Sequence, residues 1–291
     1  MTPDEIIKKI VDSNTYKDVF SDISNWKSSC KEMLLKIHTD VCFLPQAKEA
    51  TEILLKYKSE LERGKSHTDD VGTVTYFPDR ITFESSNDNI LKISFDNYNK
   101  LCKLADSHFR KYLPKTMFYE KGKLTITLEN RAIPLSSLTD VPQEHLNWIL
   151  SRMLEFSGLL DKYGFVHCGI TPDSIYVVPE NHGIIVISFY HMTSVTSKMK
   201  TVSGKYIHFY PEIIFNNKKA ENFIDIELAK RTTMFIAGDK SGLGMKYRKI
   251  LNSDWIDFII EFSNGNSFDV FKKYREILKN NFEKKFYQFN Y

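Results

Sequence analysis

The segment Phe165–Tyr176 concentrates residue types that can do chemistry within one short stretch of chain. It contains His167 and Asp173 together with two small residues, Gly169 and Ser174. A histidine and a carboxylate in one loop invite an acid–base interpretation. Neither the glycine nor the serine can present a carboxylate or an amide to a metal ion or to a substrate hydroxyl.

This segment resembles the catalytic loop of protein kinases, His-Arg-Asp-x-Lys-Pro-x-Asn, whose histidine and proline are matched by His167 and Pro172. In that family the aspartate accepts the proton of the substrate hydroxyl, and the asparagine holds a magnesium ion. The resemblance puts Gly169, Thr171 and Ser174 at the aspartate, lysine and asparagine positions. It implies a pseudokinase, which keeps the frame of a kinase domain without its reactive groups.

Three further kinase landmarks follow in the expected order. Ile185–Tyr190 resembles the strand that ends in Asp-Phe-Gly, with Ser188 at the position of the metal-binding aspartate. Gly204–Ile213 resembles the end of an activation segment, with Tyr-Pro-Glu in place of Ala-Pro-Glu. Phe223–Ala229 resembles the buried helix whose aspartate, here Asp225, braces the catalytic loop.

The resemblance implies structural rather than catalytic roles for the residues that are retained. His167 is expected to be a core histidine that bonds to the backbone. Glu212 is expected to form an internal ion pair with Arg248 or Arg275. The residues expected to hold the kinase-like frame are His167, Pro172, Glu212 and Asp225.

The region before the catalytic-loop remnant matches kinases less closely. Asn89–Ser94 is predicted to be the strand that carries the phosphate-binding lysine, here Lys92. Leu124–Asn130 alternates apolar and polar residues, as a half-buried strand leading into the hinge does. Only one glycine, Gly72, stands where a Gly-x-Gly-x-x-Gly loop would cover the phosphates. We therefore expect no cofactor, and ATP binding without metal-dependent catalysis stays open.

The first sixty residues carry a second resemblance, to the J-domain (DnaJ-like) co-chaperones. Trp26–Asp40 and Gln46–Tyr57 each place apolar residues on one helical face, which predicts a helical hairpin. Ser24 is predicted to cap the first helix, and Pro45 to lie in the first turn of the second. His38–Leu44 is the predicted connecting loop.

The triplet His38-Thr39-Asp40 stands where J-domains have His-Pro-Asp, which with a basic helix engages a heat-shock chaperone ATPase. Thr39 gives this loop more freedom than proline would, so docking orders more chain. A working co-chaperone arm, a docking module for another partner and a purely structural hairpin all stay open. The candidate chaperone-binding residues are Lys27, Lys31, Lys36, His38 and Asp40, whose lysines would attract an acidic partner.

Composition is that of a globular protein with room for one small and one larger domain in 291 residues. A net charge of +3 with mixed signs argues against nucleic-acid binding. The four cysteines lack a C-x-x-C pair, and His182, His191 and His208 lack ligand spacing, so neither disulfides nor a metal site is expected. The frequent Phe, Tyr, Lys, Asn and Ile are typical of an A+T-rich genome, viral or bacterial.

The expected fold class is α+β, with two domains. A J-like helical module covers residues 1–62, a polar linker covers 63–70, and a bilobal kinase-like domain covers 71–291. The small lobe is expected to be rich in β-strands and the large lobe helical. No basic, apolar leader and no run of eighteen apolar residues is present, so we expect a cytoplasmic protein without a membrane partner.

The expected function is binding rather than catalysis. A J-like module would bring a heat-shock chaperone ATPase to an unknown client that is held by the pseudokinase domain. One alternative is an atypical serine/threonine kinase or nucleotide-dependent transferase, in which Asp173 or Glu180 replaces the lost acids. Another is a decoy that occupies and inhibits a host chaperone or kinase.

Overall fold

A computed structural model of the chain describes residues 1–21, 25–62, 64–77 and 80–289, and of Lys65 only the backbone. The protein is α+β, with 49% helix and 13% strand. Its buried apolar side chains form two separate cores. The first core draws on residues from Ile6 to Leu61, and the second on residues from Val71 to Phe289. No helix in the described ranges has both the length and the apolarity that a membrane crossing requires.

Helical residues supply most of the first core, together with Phe20 and Cys42 from the connecting segments. The first helix begins with a capping box, because the Thr2 hydroxyl accepts a hydrogen bond from the Glu5 N–H and the Glu5 carboxylate accepts one from the Thr2 N–H. The helices of this part are α1 (Pro3–Val11), α2 (Tyr16–Val19), α3 (Trp26–Ile37) and α4 (Ala47–Glu62).

The predicted helical hairpin is present as α3 and α4, which pack against each other. On α3 the buried residues are Trp26, Cys30, Met33 and Ile37, which recur every three or four positions. The predicted cap Ser24 lies outside the described residues. Pro45 lies in a turn that ends before α4 begins, so the connecting loop extends two residues beyond its predicted end.

A five-stranded antiparallel sheet opens the second core, with its strands in the order β1-β2-β3-β5-β4. One long helix, α5 (Asp88–Leu104), separates β3 from β4 along the chain and packs on β4 and β5. The strands are β1 (Lys65–Thr68), β2 (Thr73–Tyr76), β3 (Arg80–Glu84), β4 (Thr116–Glu120) and β5 (Lys123–Thr127).

The segment 63–70, predicted to be a linker, contains the first strand of this sheet. Backbone pairing rather than apolar side chains holds β1 in place, since Ser66 pairs with Thr75 and His67 with Val74. The two hydroxyls of the Ser66–Thr75 pair lie 2.8 Å apart. A strand without apolar residues gives no hydrophobic pattern to recognise.

The prediction of a strand over Asn89–Ser94 is wrong, because these residues belong to α5. Leu91, Ser94 and Tyr98 are buried at helical spacing, whereas Lys92 is exposed on the helix surface. The strand predicted over Leu124–Asn130 is present in a shorter form as β5.

Helices dominate the remainder of the second core. α8 is buried along most of its length and packs against α6, which also packs against α10. Two small antiparallel sheets, β6-β8-β9 and β10-β7, lie among these helices. The helices are α6 (Gln143–Lys162), α7 (Ile213–Asn217), α8 (Phe223–Ile236), α9 (Ser253–Ile260) and α10 (Ser267–Asn281). The short strands are β6 (Ile133–Pro134), β7 (Phe165–Val166), β8 (Ile175–Val178), β9 (Gly183–Val186) and β10 (Thr193–Ser194).

Candidate functional site

Asp225 of α8 holds the segment between β7 and β8 through hydrogen bonds to its backbone. The two carboxylate oxygens of Asp225 accept hydrogen bonds from the backbone N–H groups of His167 and Cys168, at 2.7 and 2.8 Å. Burial raises the pKa of Asp225 to about 7, and the two N–H donors act in the opposite direction. Asp225 therefore fixes the start of the segment and is itself closed off from solvent.

His167 is enclosed in the core rather than presented to a substrate. Its ring Nε2 lies 2.7 Å from the backbone oxygen of Ser188, and the ring contacts Phe156 and Phe189 edge-on. Burial lowers the pKa of His167 to about 3, so the ring is neutral at physiological pH and donates its Nε2–H to Ser188. His167 thus joins this segment to Ser188, two residues after the end of β9.

The Ser174 side chain forms hydrogen bonds within the same segment. Its hydroxyl donates to the backbone oxygen of Gly169 at 2.6 Å and accepts from the N–H of Thr171 at 2.9 Å. The neighbouring Pro172 is held through its backbone oxygen, which accepts from the N–H of Ser136 at 3.0 Å. The Ser174 hydroxyl is therefore engaged within the loop and buried.

The space beside Gly169 is already occupied. A Cβ atom added at Gly169 would lie 2.6 Å from Cδ2 of His191, which is far inside van der Waals contact. Nδ1 of His191 lies 2.8 Å from the hydroxyl of Thr201, and burial lowers the pKa of His191 to about 4. An imidazole therefore stands where a larger residue at position 169 would place its side chain.

We expect His191→Asn to flatten the dependence of stability on pH below neutrality. An unfolded histidine has a pKa of about 6.5, so below that pH the unfolded chain binds a proton that buried His191 does not. Acidification from pH 6.5 towards pH 4 therefore lowers the free energy of unfolding, by up to about 1.4 kcal/mol per pH unit for this one residue.

Urea unfolding of the wild type, His191→Asn and His208→Asn between pH 7.5 and 4.5 measures this contribution. The exposed His208 serves as the control, and its variant should keep the slope of the wild type. Identical slopes for the wild type and His191→Asn would contradict the expectation.

The turn between β1 and β2 is linked to this segment through residues 203–205. The Asp70 carboxylate accepts a short hydrogen bond from the Ser203 hydroxyl and a 3.0 Å bond from the Lys205 N–H. Nζ of Lys205 in turn donates to Asp173 at 2.6 Å, where the Asp173 side chain is 7% exposed. The acid considered as a catalytic replacement, Asp173, is thus already paired with a cation.

We call the region between this turn, Asp173 and residues 203–205 the closed cleft, and acidic and tyrosine side chains lie close together in it. Burial raises the pKa of Asp69 and the nearby charge of Asp173 raises it further, whereas the N–H groups of Val71 and Gly72 lower it. Burial, together with Asp69, also raises the pKa of Tyr190. Within the described ranges, no three His, Cys, Asp or Glu side chains are placed to hold a metal ion.

Helix α5 contacts the site through residues other than Lys92. The Ser94 hydroxyl accepts from the N–H of Phe189 at 3.0 Å. The Asn97 amide donates to the backbone oxygens of Phe189 and Met192 at 2.8 and 3.1 Å. The exposed Lys92 takes no part in these contacts, so the structure gives no support to its predicted phosphate-binding role.

Two other predicted acids lie at the surface. Glu212 is exposed, and no ion pair joins it to a described residue, so the predicted pairing with Arg248 or Arg275 is absent. Glu180 is exposed in the turn between β8 and β9, beyond the far end of β8 from Ser174.

The first core carries a separate site, a groove beside α3 of about 550 Å³. Four of the five predicted chaperone-binding residues, Lys27, Lys31, His38 and Asp40, line this α3 groove. Nδ1 of His38 lies 3.3 Å from both the backbone N and the Oδ2 of Asp40, so the two side chains meet across Thr39. The other lining residues are Trp26, Cys30, Leu34, Leu35, Val41, Lys58 and Glu62.

The fifth predicted residue, Lys36, lies outside the α3 groove. It follows Lys31 by five residues, which corresponds to a rotation of about 140° around the helix. Its Nζ pairs with Glu32 at 2.8 Å on another flank of α3. The basic rim of the groove instead includes Lys58 of α4, which the sequence analysis did not single out.

No protein-family model matches the chain, and no curated protein matches it. The contacts within the cleft and the lining of the α3 groove are therefore the basis on which a function can be argued.

Proposed function

We propose that this chain is a non-catalytic adaptor, in which a kinase-like domain holds a client and a J-like module recruits a heat-shock chaperone ATPase. The claim that the kinase-like domain is non-catalytic rests on the packing of His191 beside Gly169. In a kinase the residue at this position accepts the proton of the substrate hydroxyl. Here the position has no side chain, and the neighbouring space is filled.

The arrangement of strands and helices supports a bilobal kinase-like domain. A five-stranded antiparallel sheet with one helix inserted between β3 and β4 precedes a part dominated by helices. Kinases join a lysine of the third strand to a glutamate of the inserted helix. The third strand here, Arg80–Glu84, contains no lysine, and α5 presents Ser94 to the backbone of Phe189.

The chemistry of phosphoryl transfer argues against an active kinase. The reaction depends on positioning and on metal ions that neutralise the phosphate charge. The corresponding positions are held by Gly169, Ser174 and Ser188, and loss of the general base alone costs about 10²–10⁴ in rate. Oδ2 of Asp173 is paired with Lys205, so this acid could act as a base only through Oδ1 or after that ion pair breaks.

We expect the full chain to gain no Mg²⁺-dependent stability from ATP. A ligand present at a hundred times its Kd would raise the free energy of unfolding by about 2.7 kcal/mol. Thermal unfolding with ATP and with ATP plus Mg²⁺ measures this gain. Stabilisation that requires Mg²⁺, together with transfer of the γ-phosphate that Asp173→Asn abolishes, would favour the atypical kinase instead.

The α3 groove supports the second half of the proposal. Lys27, Lys31 and Lys58 form a basic rim, while Leu35 and Val41 are 68% and 61% exposed within the same lining. Exposed apolar side chains beside positive charges suit a partner that is acidic and partly apolar. The paired His38 and Asp40 belong to the same lining, and the J-domain resemblance assigns chaperone contact to them.

Charge reversal at Lys31 is expected to weaken chaperone binding at least about tenfold, because this cation lies on the rim of the groove. The same reversal at Lys36, which lies outside the groove, serves as the matched control and should have little effect. His38→Gln is expected to abolish stimulation of ATP hydrolysis.

Binding and single-turnover hydrolysis with a purified seventy-kilodalton chaperone test both expectations. Equal effects of Lys31→Glu and Lys36→Glu, or full activity of His38→Gln, would contradict the J-like role. Tight binding that inhibits hydrolysis would identify a decoy.

A further inference from the structure

The loop between α8 and α9 exposes three large apolar side chains within eight positions. Leu243, Met245 and Ile250 are 48%, 53% and 71% exposed. Single exposed apolar residues are common on protein surfaces, but several close together indicate an interaction site. This loop lies in the second core region, on a different element from both the closed cleft and the α3 groove.

The backbone that carries these side chains is fixed. The Asp239 carboxylate accepts from the N–H and hydroxyl of Ser241, at 3.1 and 2.7 Å, and from the N–H of Gly244 at 2.8 Å. Gly242 and Gly244 have φ values of 72° and 74°, a conformation that suits glycine. A Cβ at Gly244 would lie 3.2 Å from Ile256, so the loop packs closely on α9. A fixed loop loses little freedom when it binds a partner.

Positive charge surrounds the apolar side chains. Residues 238–251 contain four cations and one acid, Asp239, whose carboxylate is engaged within the loop. Asp140 acts on Lys240, and the helix that follows the loop, α9, carries two exposed acids, Asp254 and Asp257. The cations that flank the exposed apolar residues are Lys246, Arg248 and Lys249, and all three are exposed.

We infer that this basic–apolar platform, formed by Leu243, Met245, Ile250, Lys246, Arg248 and Lys249, docks an acidic segment of the client protein that carries apolar anchors. The inference rests on the proposed adaptor function and names the surface that it uses. Unlike charges steer the segment to the platform, and methionine adapts to irregular apolar partners. A single-stranded nucleic acid is disfavoured, because base stacking needs exposed aromatic rings and the one ring of the loop, Tyr247, is half-buried and bonded to Ala237.

A displayed library of random peptides, selected on the full chain, tests the platform without any chaperone. Binders are counter-selected against Leu243→Ser/Met245→Ser, whose changes lie at the surface and whose folding is checked by urea unfolding. We expect the enriched peptides to alternate Asp or Glu with Leu, Phe or Met.

Fluorescence anisotropy with the enriched peptides then measures the charge contribution. Arg248→Glu/Lys249→Glu should weaken binding at least about tenfold, and added salt should weaken binding to the wild type. The matched control reverses two exposed lysines elsewhere, Lys279→Glu/Lys284→Glu, and should bind within about twofold of the wild type.

Equal binding of the peptides to the wild type and to Leu243→Ser/Met245→Ser would contradict the proposed docking site. Enrichment of basic peptides would also contradict it. So would tighter binding of oligo-dT than of the acidic peptides. Because no chaperone enters this assay, failure of the platform is separate from failure of the J-like module, which His38→Gln tests.

Discussion

Replacing Asp225 with alanine is expected to lower the free energy of unfolding by about 2–6 kcal/mol. The change leaves the buried N–H groups of His167 and Cys168 without their acceptors, and each unsatisfied group costs about 1–3 kcal/mol. Urea unfolding at pH 8 measures the loss. Domains of this size are stable by about 5–15 kcal/mol, so the variant is expected to fold only marginally.

Two further variants keep the Asp225 prediction testable. Asp225→Asn retains one acceptor oxygen and should lose less than Asp225→Ala. Asp257→Ala changes an exposed acid on α9 and should stay within about 0.5 kcal/mol of the wild type. A loss below about 1 kcal/mol in Asp225→Ala would show that other groups satisfy the two N–H donors.

Replacing Lys230 with alanine is expected to lower the free energy of unfolding by about 3–5 kcal/mol, because it leaves the carboxylate of Glu227 buried without its cation. The Lys230 and Glu227 side chains are 1% and 5% exposed, and Nζ lies 3.0 Å from Oε1. Nζ also donates to the backbone oxygen of Glu261 and to the hydroxyl of Ser263, both at 2.6 Å.

The chain contains a matched control for this ion pair. Lys273 pairs with the side chain of Glu261 at 2.8 Å, but both partners are exposed, so Lys273→Ala should cost at most about 1 kcal/mol. The double variant Glu227→Gln/Lys230→Met should recover part of the loss, because no unpaired charge stays buried. Similar losses for Lys230→Ala and Lys273→Ala, measured by urea unfolding, would contradict the expected effect of burial.

Hydrophobic periodicity was sufficient to predict the helical hairpin of α3 and α4 and the alternating strand β5. The apolar residues of α3 recur from Trp26 to Ile37 at helical spacing, and those of β5 alternate around Leu124 and Ile126. The pattern fails for Asn89–Ser94, because six residues are too few to separate a strand from one face of a seventeen-residue helix. Composition gave no signal for β1, whose register depends on backbone pairing with β2.

The sequence indicated where along the chain the candidate site lies, but it did not indicate which distant residues contact one another there. The resemblance to kinases, with small residues at positions 169, 174 and 188, led to the prediction that catalytic groups are missing, which stays a prediction. The closure of the cleft depends instead on Asp70 and Ser203, which lie 133 residues apart in the chain. The acid pair Asp69-Asp70, two residues before Gly72, was the local sequence signal for this turn. Because the preceding residues are polar, the segment was predicted to be a linker.

The contact between Gly169 and His191 also bears on how this chain could change over time. One substitution, Gly169→Asp, would restore the carboxylate that the kinase resemblance places there, yet its Cβ would collide with a buried imidazole. An aspartate at this position therefore requires the His191 side chain to move or to be replaced, and either change disturbs its contact with Thr201. For the proposed kinase-like function, restoring this carboxylate is opposed by steric packing as well as by the absence of the other kinase groups.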